Sequence, residues 1–427
     1  MEELANESTF RSYMFFWSGQ LVSLMGSLVV QFAIIWWITE ETGSAFYLSI
    51  GTFLYFIPMV LLTPITGVLA DRMNRKTLII LADSSQALVT VWIIGLFYYT
   101  NPVQNPIGLI LINSLRGVCQ AFHMPTVSAI VPTMVPKDKL SRINGVGFLF
   151  TSLIQLIGPL IGAVLMAFYT LDLVLWVDIF TFSIAVIPLL LIKIPNVKGL
   201  IENLKETNDL SFIKEFKEGI KIIKFIPGMM TLLFLDMLVN FLIAPINVLL
   251  PLYIFETHSG SAISLATVML FLNAGMILGG LITALKKEWK YKMSVYFSGL
   301  MIVMALISVL GLAPSGFFIV LWIGIAIVGF ILPVISTIFL TIIQTTVPPD
   351  KMGRVSSVSQ SMSSAIFPIG TLVAGPLAVA IGMRNVFLFS SILGVLVVFL
   401  IWRFTKIRHV DYDNLDRIVE QIRNINK

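Results

Sequence analysis

Long apolar segments without charged side chains constrain this chain more than any other feature. Residues 42–70 contain no Asp, Glu, Lys or Arg, and about twelve long, mostly apolar segments follow one another along the 427 residues. Crossing the ~30 Å hydrocarbon core of a bilayer takes about 20 mostly apolar residues per helix. The sequence therefore predicts an all-α membrane protein with twelve transmembrane helices, over residues 11–38, 44–70, 77–99, 107–134, 142–168, 172–194, 226–255, 262–285, 293–313, 315–346, 354–381 and 384–405.

Composition supports this fold class, because a chain that is 57% hydrophobic and 12% charged has more apolar surface than one soluble globule can bury. With the first residue inside, all but two of the 28 Lys and Arg fall on one membrane face; the exceptions are Arg116 and Arg384. The positive-inside rule makes that face cytoplasmic. We expect a multi-pass plasma-membrane protein with both termini cytoplasmic, whose net charge of +5 reflects topology and anionic lipid rather than nucleic-acid binding.

An internal repeat predicts two related halves. A shift of 212 residues aligns 135–142 with 347–354, with five identities in eight positions, and both segments fall between equivalent predicted helices. We expect two pseudo-symmetric six-helix bundles, and the domain limits are 1–194, a cytoplasmic linker 195–225, 226–405 and a cytoplasmic tail 406–427. Within the linker, apolar residues at helical spacing predict an amphipathic helix on the inner leaflet or, equally, a solvated linker helix. They are Phe212, Phe216, Ile220 and Ile223.

The charged segment between the second and third predicted helices reads Gly-x-x-x-Asp-Arg-x-x-Arg-Lys over residues 67–76. It resembles the signature loop of the major facilitator superfamily of secondary transporters. The resemblance implies that Asp71 meets the amino-terminal end of helix 11, where Arg354 stands, and that the inner gate is held shut by this contact. The gate residues expected on this basis are Gly67, Asp71, Arg72, Arg75, Lys76, Asp83, Arg142 and Arg354.

Further local patterns indicate a branch of that superfamily. Gly158, Pro159 and Gly162 resemble the Gly-Pro-x-x-Gly pattern of its antiporters, although the same residues also suit an ordinary proline kink. Segments 16–23, 116–125 and 216–219 look like the macrolide-efflux and multidrug-exporter branch. This resemblance implies proton-driven export of a bulky, mostly apolar molecule.

Polar side chains form stripes on predicted helices 1, 4, 7 and 10, which line the central cavity in the facilitator fold. Intramembrane polar groups usually face a cavity or the interior of a bundle, and the alternative is that they only join helices. The cavity-lining residues expected are Gln20, Ser27, Gln31, Asn113, Gln120, Asn240, Asn247, Thr337, Thr341 and Gln344.

Ionisable residues inside the predicted spans need a partner, water or a proton, because an isolated charge there costs at least ~2.5 kcal/mol. Arg116 and Asp178 lie at similar depth, so they are predicted to form a buried pair that is either structural or a proton-linked switch. Asp83 is assigned to the inner gate with Arg72 or Arg142, away from substrate.

Asp236 is our candidate for coupling to protons, because it lies on a predicted cavity face and a desolvated aspartate can hold a proton near neutral pH. His123 is a candidate relay, since histidine titrates closest to neutrality; the alternative is that it simply hydrogen-bonds a neighbour. Asp178 and Arg116 complete the proton-coupling candidates.

Other classes of chemistry lack sequence support. The chain contains no Gly-Lys dipeptide, so a Walker loop for ATP cannot form, and neither a metal-ligand cluster nor a catalytic triad is recognisable. The sequence predicts a monomeric transporter without cofactors that acts on a small molecule, protons and lipid, and no enzyme. Three alternatives to drug export remain, namely a carrier or importer of a small metabolite, a lipid flippase, and a membrane sensor that does not pump.

Overall fold

The computed structural model describes residues 5–195, 212–286, 289–348, 351–410 and 412, and this part of the chain is helical. Twelve of its helical segments are long and apolar enough to span a membrane, which confirms the predicted fold class. The α-helices are α1 (Glu7–Thr42), α2 (Ala45–Arg72), α3 (Arg75–Tyr99), α4 (Pro106–Met134), α5 (Lys137–Phe168), α6 (Leu171–Val174), α7 (Trp176–Leu191), α8 (Phe212–Phe225), α9 (Met229–Leu252), α10 (Ala262–Leu285), α11 (Lys292–Leu312), α12 (Phe318–Thr346), α13 (Met352–Ile381) and α14 (Met383–Phe404).

The helices do not correspond one to one with the membrane spans. Helices α6 and α7 together form one span, a π-helical turn at Tyr253–Thr257 extends α9, and α8 is not a span. Large apolar side chains such as Phe148 and Phe180 are more than 70% exposed. Such exposure suits side chains that face lipid, where apolar groups need no burial in protein.

The helices fall into two compact units. The first contains α1–α7 and residues 254–270, which include the start of α10; the second contains α8, α9, the rest of α10 and α11–α14. In the first unit α1 packs on α5 and α7, and α4 packs on α2 and α3. In the second unit α9 packs on α13, and α11 packs on α12 and α14. The domain limits expected from the sequence stay predictions.

Glycine permits the closest helix contacts in both units. A Cβ added to Gly117 of α4 would lie 2.0 Å from the carbonyl oxygen of Tyr55 on α2. A Cβ on Gly329 of α12 would lie 2.1 Å from the carbonyl oxygen of Leu272 on α10. These two glycines occupy positions that the 212-residue repeat aligns. Small residues let membrane helices approach closely, and both halves use them between equivalent helices.

The linker helix α8, for which the sequence left the inner leaflet and solvent equally open, contacts protein of the second unit. Its Ile222 and Ile223 are buried, and α8 packs against α13. A Cβ on Gly219 would lie 2.7 Å from the carbonyl oxygen of Arg354, and Arg354 Nη1 lies 2.8 Å from Glu218 Oε2. Part of this amphipathic helix therefore covers protein, because the glycine allows α8 to approach α13 and the ion pair joins them.

Candidate functional site

Polar side chains of α1, α3 and α4 converge on one cavity in the first unit. Its volume is about 300 Å³, and α5 completes the wall. This is at the lower end of the ~300–1,000 Å³ typical of small-molecule sites. Its polar lining includes Gln20, Ser27, Asp83, Gln86, Gln120 and His123. Its apolar lining includes Trp17, Leu21, Leu24, Met124 and Val127.

Helical spacing brings these polar groups together. On each of α1, α3 and α4, the polar lining residues recur at intervals of three, four or seven, which places them on one face of the helix. The stripes predicted on helices 1 and 4 therefore do face a cavity at Gln20, Ser27, Gln120 and His123. The stripe on α3, formed by Asp83 and Gln86, was not anticipated.

Asp83 belongs to a cluster of three side chains. His123 Nε2 lies 3.3 Å from Asp83 Oδ1 and 2.8 Å from Gln20 Oε1. Gln20 Nε2 donates to Asp83 Oδ2 at 3.5 Å. The side chains of His123 and Asp83 are 21% and 12% exposed, so both border the cavity while staying largely out of bulk water. His123 Nε2 therefore faces two oxygen atoms, one from Gln20 and one from Asp83.

The described partners of Asp83, Gln20 and His123, differ from the Arg72 and Arg142 that the gate assignment named. Arg142 is exposed near the start of α5, and the Arg72 side chain lies outside the described part of the chain. Asp83 lies about two turns into α3 and faces α1 and α4, which supply Gln20 and His123. Its carboxylate lines the cavity, and the assignment of Asp83 to the inner gate stays a prediction.

A second chain of hydrogen bonds runs deeper into the unit. Gln120 Nε2 donates to Gln86 Oε1 at 2.9 Å, and Gln86 Nε2 donates to Ser27 Oγ at 2.9 Å. Ser27 Oγ in turn donates to Asp178 Oδ1 at 3.3 Å. Four side chains from four helices therefore link the cavity wall to a buried carboxylate.

Arg116 and Asp178 form the buried pair that their depths suggested. Arg116 Nη1 lies 2.7 Å from Asp178 Oδ2, and the two side chains are only 3% and 4% exposed. Thr90 Oγ1 donates to the same carboxylate oxygen at 2.6 Å and lies 2.5 Å from Arg116 Nη1. Such a pair is tolerated in the membrane because each charge is neutralised by the other.

Asp236 lies in the second unit, where Ser363 of α13 donates a hydrogen bond to its Oδ2. Asn240, one turn further along α9, donates to the Asp236 backbone carbonyl at 2.9 Å. Asp236 is half-buried. Its described partners are uncharged, which distinguishes it from Asp178.

The remaining cavity candidates are dispersed. Gln31 Oε1 and Asn113 Oδ1 are buried without a hydrogen-bond partner among the described residues, and neither lines the cavity of the first unit. In the second unit Thr341 Oγ1 donates to the Thr337 carbonyl at 2.7 Å. The other candidates there, Asn247 and Gln344, are exposed, as is Thr337.

The antiporter-like pattern marks a close contact between α5 and α1. A Cβ on Gly158 would lie 3.0 Å from the Cβ of Leu28, and a Cβ on Gly162 would lie 3.0 Å from the carbonyl oxygen of Val29. Pro159 lies within α5 between them. The geometry explains why small residues are needed here, and a role in the direction of transport stays a prediction.

The expected gate residues are only partly described. Arg75 Nη1 donates to the Ala129 carbonyl at 2.7 Å, and Lys76 Nζ donates to the Leu190 and Ile192 carbonyls at 2.8 Å. Arg354 pairs with Glu218. The side chains of Asp71 and Arg72, and the surroundings of Gly67, lie outside the described residues, so the proposed latch stays a prediction.

Sequence reasoning overlooked several polar partners in these networks. Gln86 and Thr90 follow the already noted Asp83 on α3 at intervals of three and four, which is a detectable helical stripe. It was missed because water was expected only beside helices 1, 4, 7 and 10. Ser363 and Glu218 belong to no comparable periodic stripe in the sequence. Each is one of many polar residues in its helix, so nothing distinguished it from its neighbours.

Comparison with known proteins agrees with this architecture. The profile of the Major Facilitator Superfamily matches residues 16–371. Macrolide efflux protein A of Streptococcus pyogenes is 30% identical over 396 residues, covering 92% of this chain and 96% of that protein. The multidrug efflux pump Tap of Mycolicibacterium fortuitum is 26% identical over 389 residues, covering 88% and 92%.

Solved structures show the same fold. A bacterial homologue of the iron transporter ferroportin in an inward-facing state has a TM-score of 0.67 at 16% identity, covering 92% of this chain and 99% of that one. A bacterial homologue of the lysosomal transporter Spinster gives a TM-score of 0.67 at 15% identity, covering 98% and 99%. Together with the twelve spans, these matches identify the chain as a multi-pass membrane transporter that belongs to the Major Facilitator Superfamily.

Proposed function

We propose that this protein exports hydrophobic or amphipathic compounds, such as macrolide-like drugs, across the plasma membrane in exchange for protons, by alternating access. The cavity of the first unit carries the proposal, because it combines an apolar wall with a close contact between Asp83 and His123. The relatives that cover nearly the whole chain are efflux proteins. Efflux therefore fits better than import of a small metabolite, a lipid flippase or a sensor.

The proposed arrangement is a monomer with both termini in the cytoplasm, embedded in lipid and moving a small molecule against protons. Two related six-helix bundles rocking about a midplane site would give each side access in turn. Arg75 and Lys76, at the start of α3, and Arg354, at the start of α13, are proposed members of the inner gate. Chemistry beyond transport is not proposed for any of these residues.

Asp236 is the proposed carrier of the coupling proton. A carboxylate that must lose and regain a proton in each cycle should not be held ionised by a permanent cation. Arg116 contacts Asp178 at 2.7 Å, whereas Asp236 accepts from the neutral hydroxyl of Ser363. The hydrogen bond from Ser363 stabilises the ionised form of Asp236, and this bond weakens when Asp236 is protonated.

Transport into inside-out vesicles tests this assignment. Energised vesicles with the wild-type protein should accumulate radiolabelled erythromycin and lose it when a protonophore is added. Asp236→Asn should abolish accumulation and retain exchange of labelled for unlabelled drug, because exchange needs no proton. Asp172→Asn, which removes an acid at the start of α6, is the matched control and should accumulate normally. Undiminished accumulation by Asp236→Asn would exclude this residue as the carrier.

A further inference from the structure

We propose that one face of the linker helix α8 docks on anionic phospholipid headgroups at the membrane surface. This lysine face consists of Lys217, Lys221, Lys224 and Phe225, and all four side chains are exposed. It lies outside the candidate transport site. The proposal therefore goes beyond the proposed function and does not depend on which molecule is exported.

Helix α8 has two opposite faces. At 100° per residue, the four residues of the lysine face fall within about 100° of one another around the helix axis. The buried residues Gly219, Ile222 and Ile223 lie on the other side of the helix. Protein of the second unit therefore covers the side that carries the isoleucines, and the lysine face is left uncovered.

Contacts with α13 fix this orientation of α8. Arg354 Nη1 lies 2.8 Å from Glu218 Oε2, and a Cβ on Gly219 would lie 2.7 Å from both the Arg354 carbonyl oxygen and Val358 Cγ2. Rotation of α8 about its axis would break the ion pair and bring a larger side chain against α13. Glu218, the acid that follows Lys217 in the sequence, is thereby engaged with α13 instead of neutralising the lysine face.

The lysine face lies close to the end of a membrane span. Helix α8 ends at Phe225, and α9, which belongs to a span, begins at Met229. The turn between them contains Gly228 with a φ of 76°, and Tyr412 donates a hydrogen bond to the Pro227 carbonyl at 2.9 Å. Basic residues next to a span attract anionic lipid, and each contributes about fivefold in affinity.

This mode of docking differs from that of an ordinary membrane-surface helix, which buries its apolar face in lipid. Ile222 and Ile223 are only 2% and 0% exposed, so they are not available for insertion. The attraction must then come mainly from the three lysines, with Phe225, 48% exposed, as the one large apolar side chain of the face. Lipid is favoured over an acidic protein partner because headgroups surround the end of every span.

Fluorescence quenching in nanodiscs tests the proposal on the full-length protein. Phe225→Cys in a Cys119→Ser background places a single nitrobenzoxadiazole fluorophore on the lysine face. The probes are phosphatidylglycerol and phosphatidylcholine that each carry a nitroxide near the top of one acyl chain. At equal mole fraction, phosphatidylglycerol should associate with the labelled position about tenfold or more in preference to phosphatidylcholine. This preference should disappear at about 1 M salt, where exposed charges are screened within ~3 Å.

Charge variants identify the lysines as the cause. Lys217→Gln/Lys221→Gln/Lys224→Gln should reduce the preference to about one, whereas the conservative Lys217→Arg/Lys221→Arg/Lys224→Arg should retain it. The matched control, Lys193→Gln/Lys290→Gln/Arg403→Gln, removes the same charge from exposed residues on three other elements. It should leave the preference within about twofold of the parent protein.

Three outcomes would overturn the proposal. Equal quenching by the two lipids in the parent protein would show that the lysine face is merely solvated. An unchanged preference in the glutamine variant, or an equal loss in the control, would show that these lysines do not select the lipid. Displacement of phosphatidylglycerol by inorganic phosphate, but not by chloride at the same ionic strength, would indicate a site for free phosphate instead.

The salt and phosphate measurements use only the labelled parent protein, so the proposal stays testable if the glutamine variant does not fold. None of the measurements requires transport. Loss of the lipid preference would therefore leave the export assignment untouched, and failure of export would leave the lipid surface untouched.

Discussion

Breaking the Arg116–Asp178 pair should destabilise the protein strongly. The two side chains are 3% and 4% exposed and lie 2.7 Å apart, so Asp178→Asn leaves a guanidinium without its counter-charge in the interior of the first unit. Removing one partner of a buried pair typically costs about 3–5 kcal/mol. We expect a loss of that size for Asp178→Asn, and a similar loss for Arg116→Gln.

The double variant Arg116→Gln/Asp178→Asn should lose much less than the sum of the two single losses. It removes both charges together and forfeits mainly the hydrogen bonds that Thr90 and Ser27 make to the carboxylate, at about 1 kcal/mol each. The two single losses sum to about 6–10 kcal/mol, so a loss of about 2 kcal/mol in the double variant corresponds to a coupling energy of about 4–8 kcal/mol, above the ~0.5–3 kcal/mol usual for contacting residues.

Equilibrium unfolding of purified protein by sodium dodecyl sulfate, followed by tryptophan fluorescence, measures these free energies. Losses below about 1 kcal/mol for each single variant, or losses that simply add in the double variant, would refute the argument. Drug transport by the stable double variant decides between the two roles left open by the sequence. Retained transport indicates a structural pair, and lost transport indicates that the pair takes part in the proton cycle.

Two further substitutions probe packing. Gly117→Ala places a Cβ 2.0 Å from the Tyr55 carbonyl oxygen, so it should force α2 and α4 apart and reduce the yield of monodisperse protein. The control Gly95→Ala adds a Cβ with nothing within 4 Å, so it should leave the yield unchanged. Tyr412→Phe removes a hydrogen bond to the Pro227 carbonyl at 2.9 Å. It should lower the free energy of unfolding by about 1 kcal/mol in the same assay. An unchanged free energy of unfolding would show that this contact does not stabilise the C-terminal segment.

The positions of the spans could be read from the sequence, because hydropathy alone specifies which segments lie in lipid. The prediction of 262–285 matches Ala262–Leu285, and 107–134 differs from Pro106–Met134 by one residue. The depth of a residue follows from its position in a span, which is why Arg116 and Asp178 could be paired before the structure.

The rotation of each helix and the identity of its neighbours could not be read in the same way. Asp83 was placed by its distance from the cytoplasmic end of α3, and that distance does not show that its side chain faces Gln20 and His123. For α8, an amphipathic pattern specifies an apolar face without showing whether lipid or protein covers it. Gly219, within that face, was the available signal that a helix packs closely there.

Substrate-induced proton movement tests the central claim of proton-coupled export most directly. Inside-out vesicles with an acidified lumen quench a pH-sensitive acridine dye, and a substrate that is exchanged for protons should partly restore its fluorescence. We predict recovery on addition of erythromycin to vesicles with the wild-type protein, and little or none with Asp236→Asn. Accumulation of labelled drug by the wild type without any recovery of fluorescence would contradict the exchange of drug for protons.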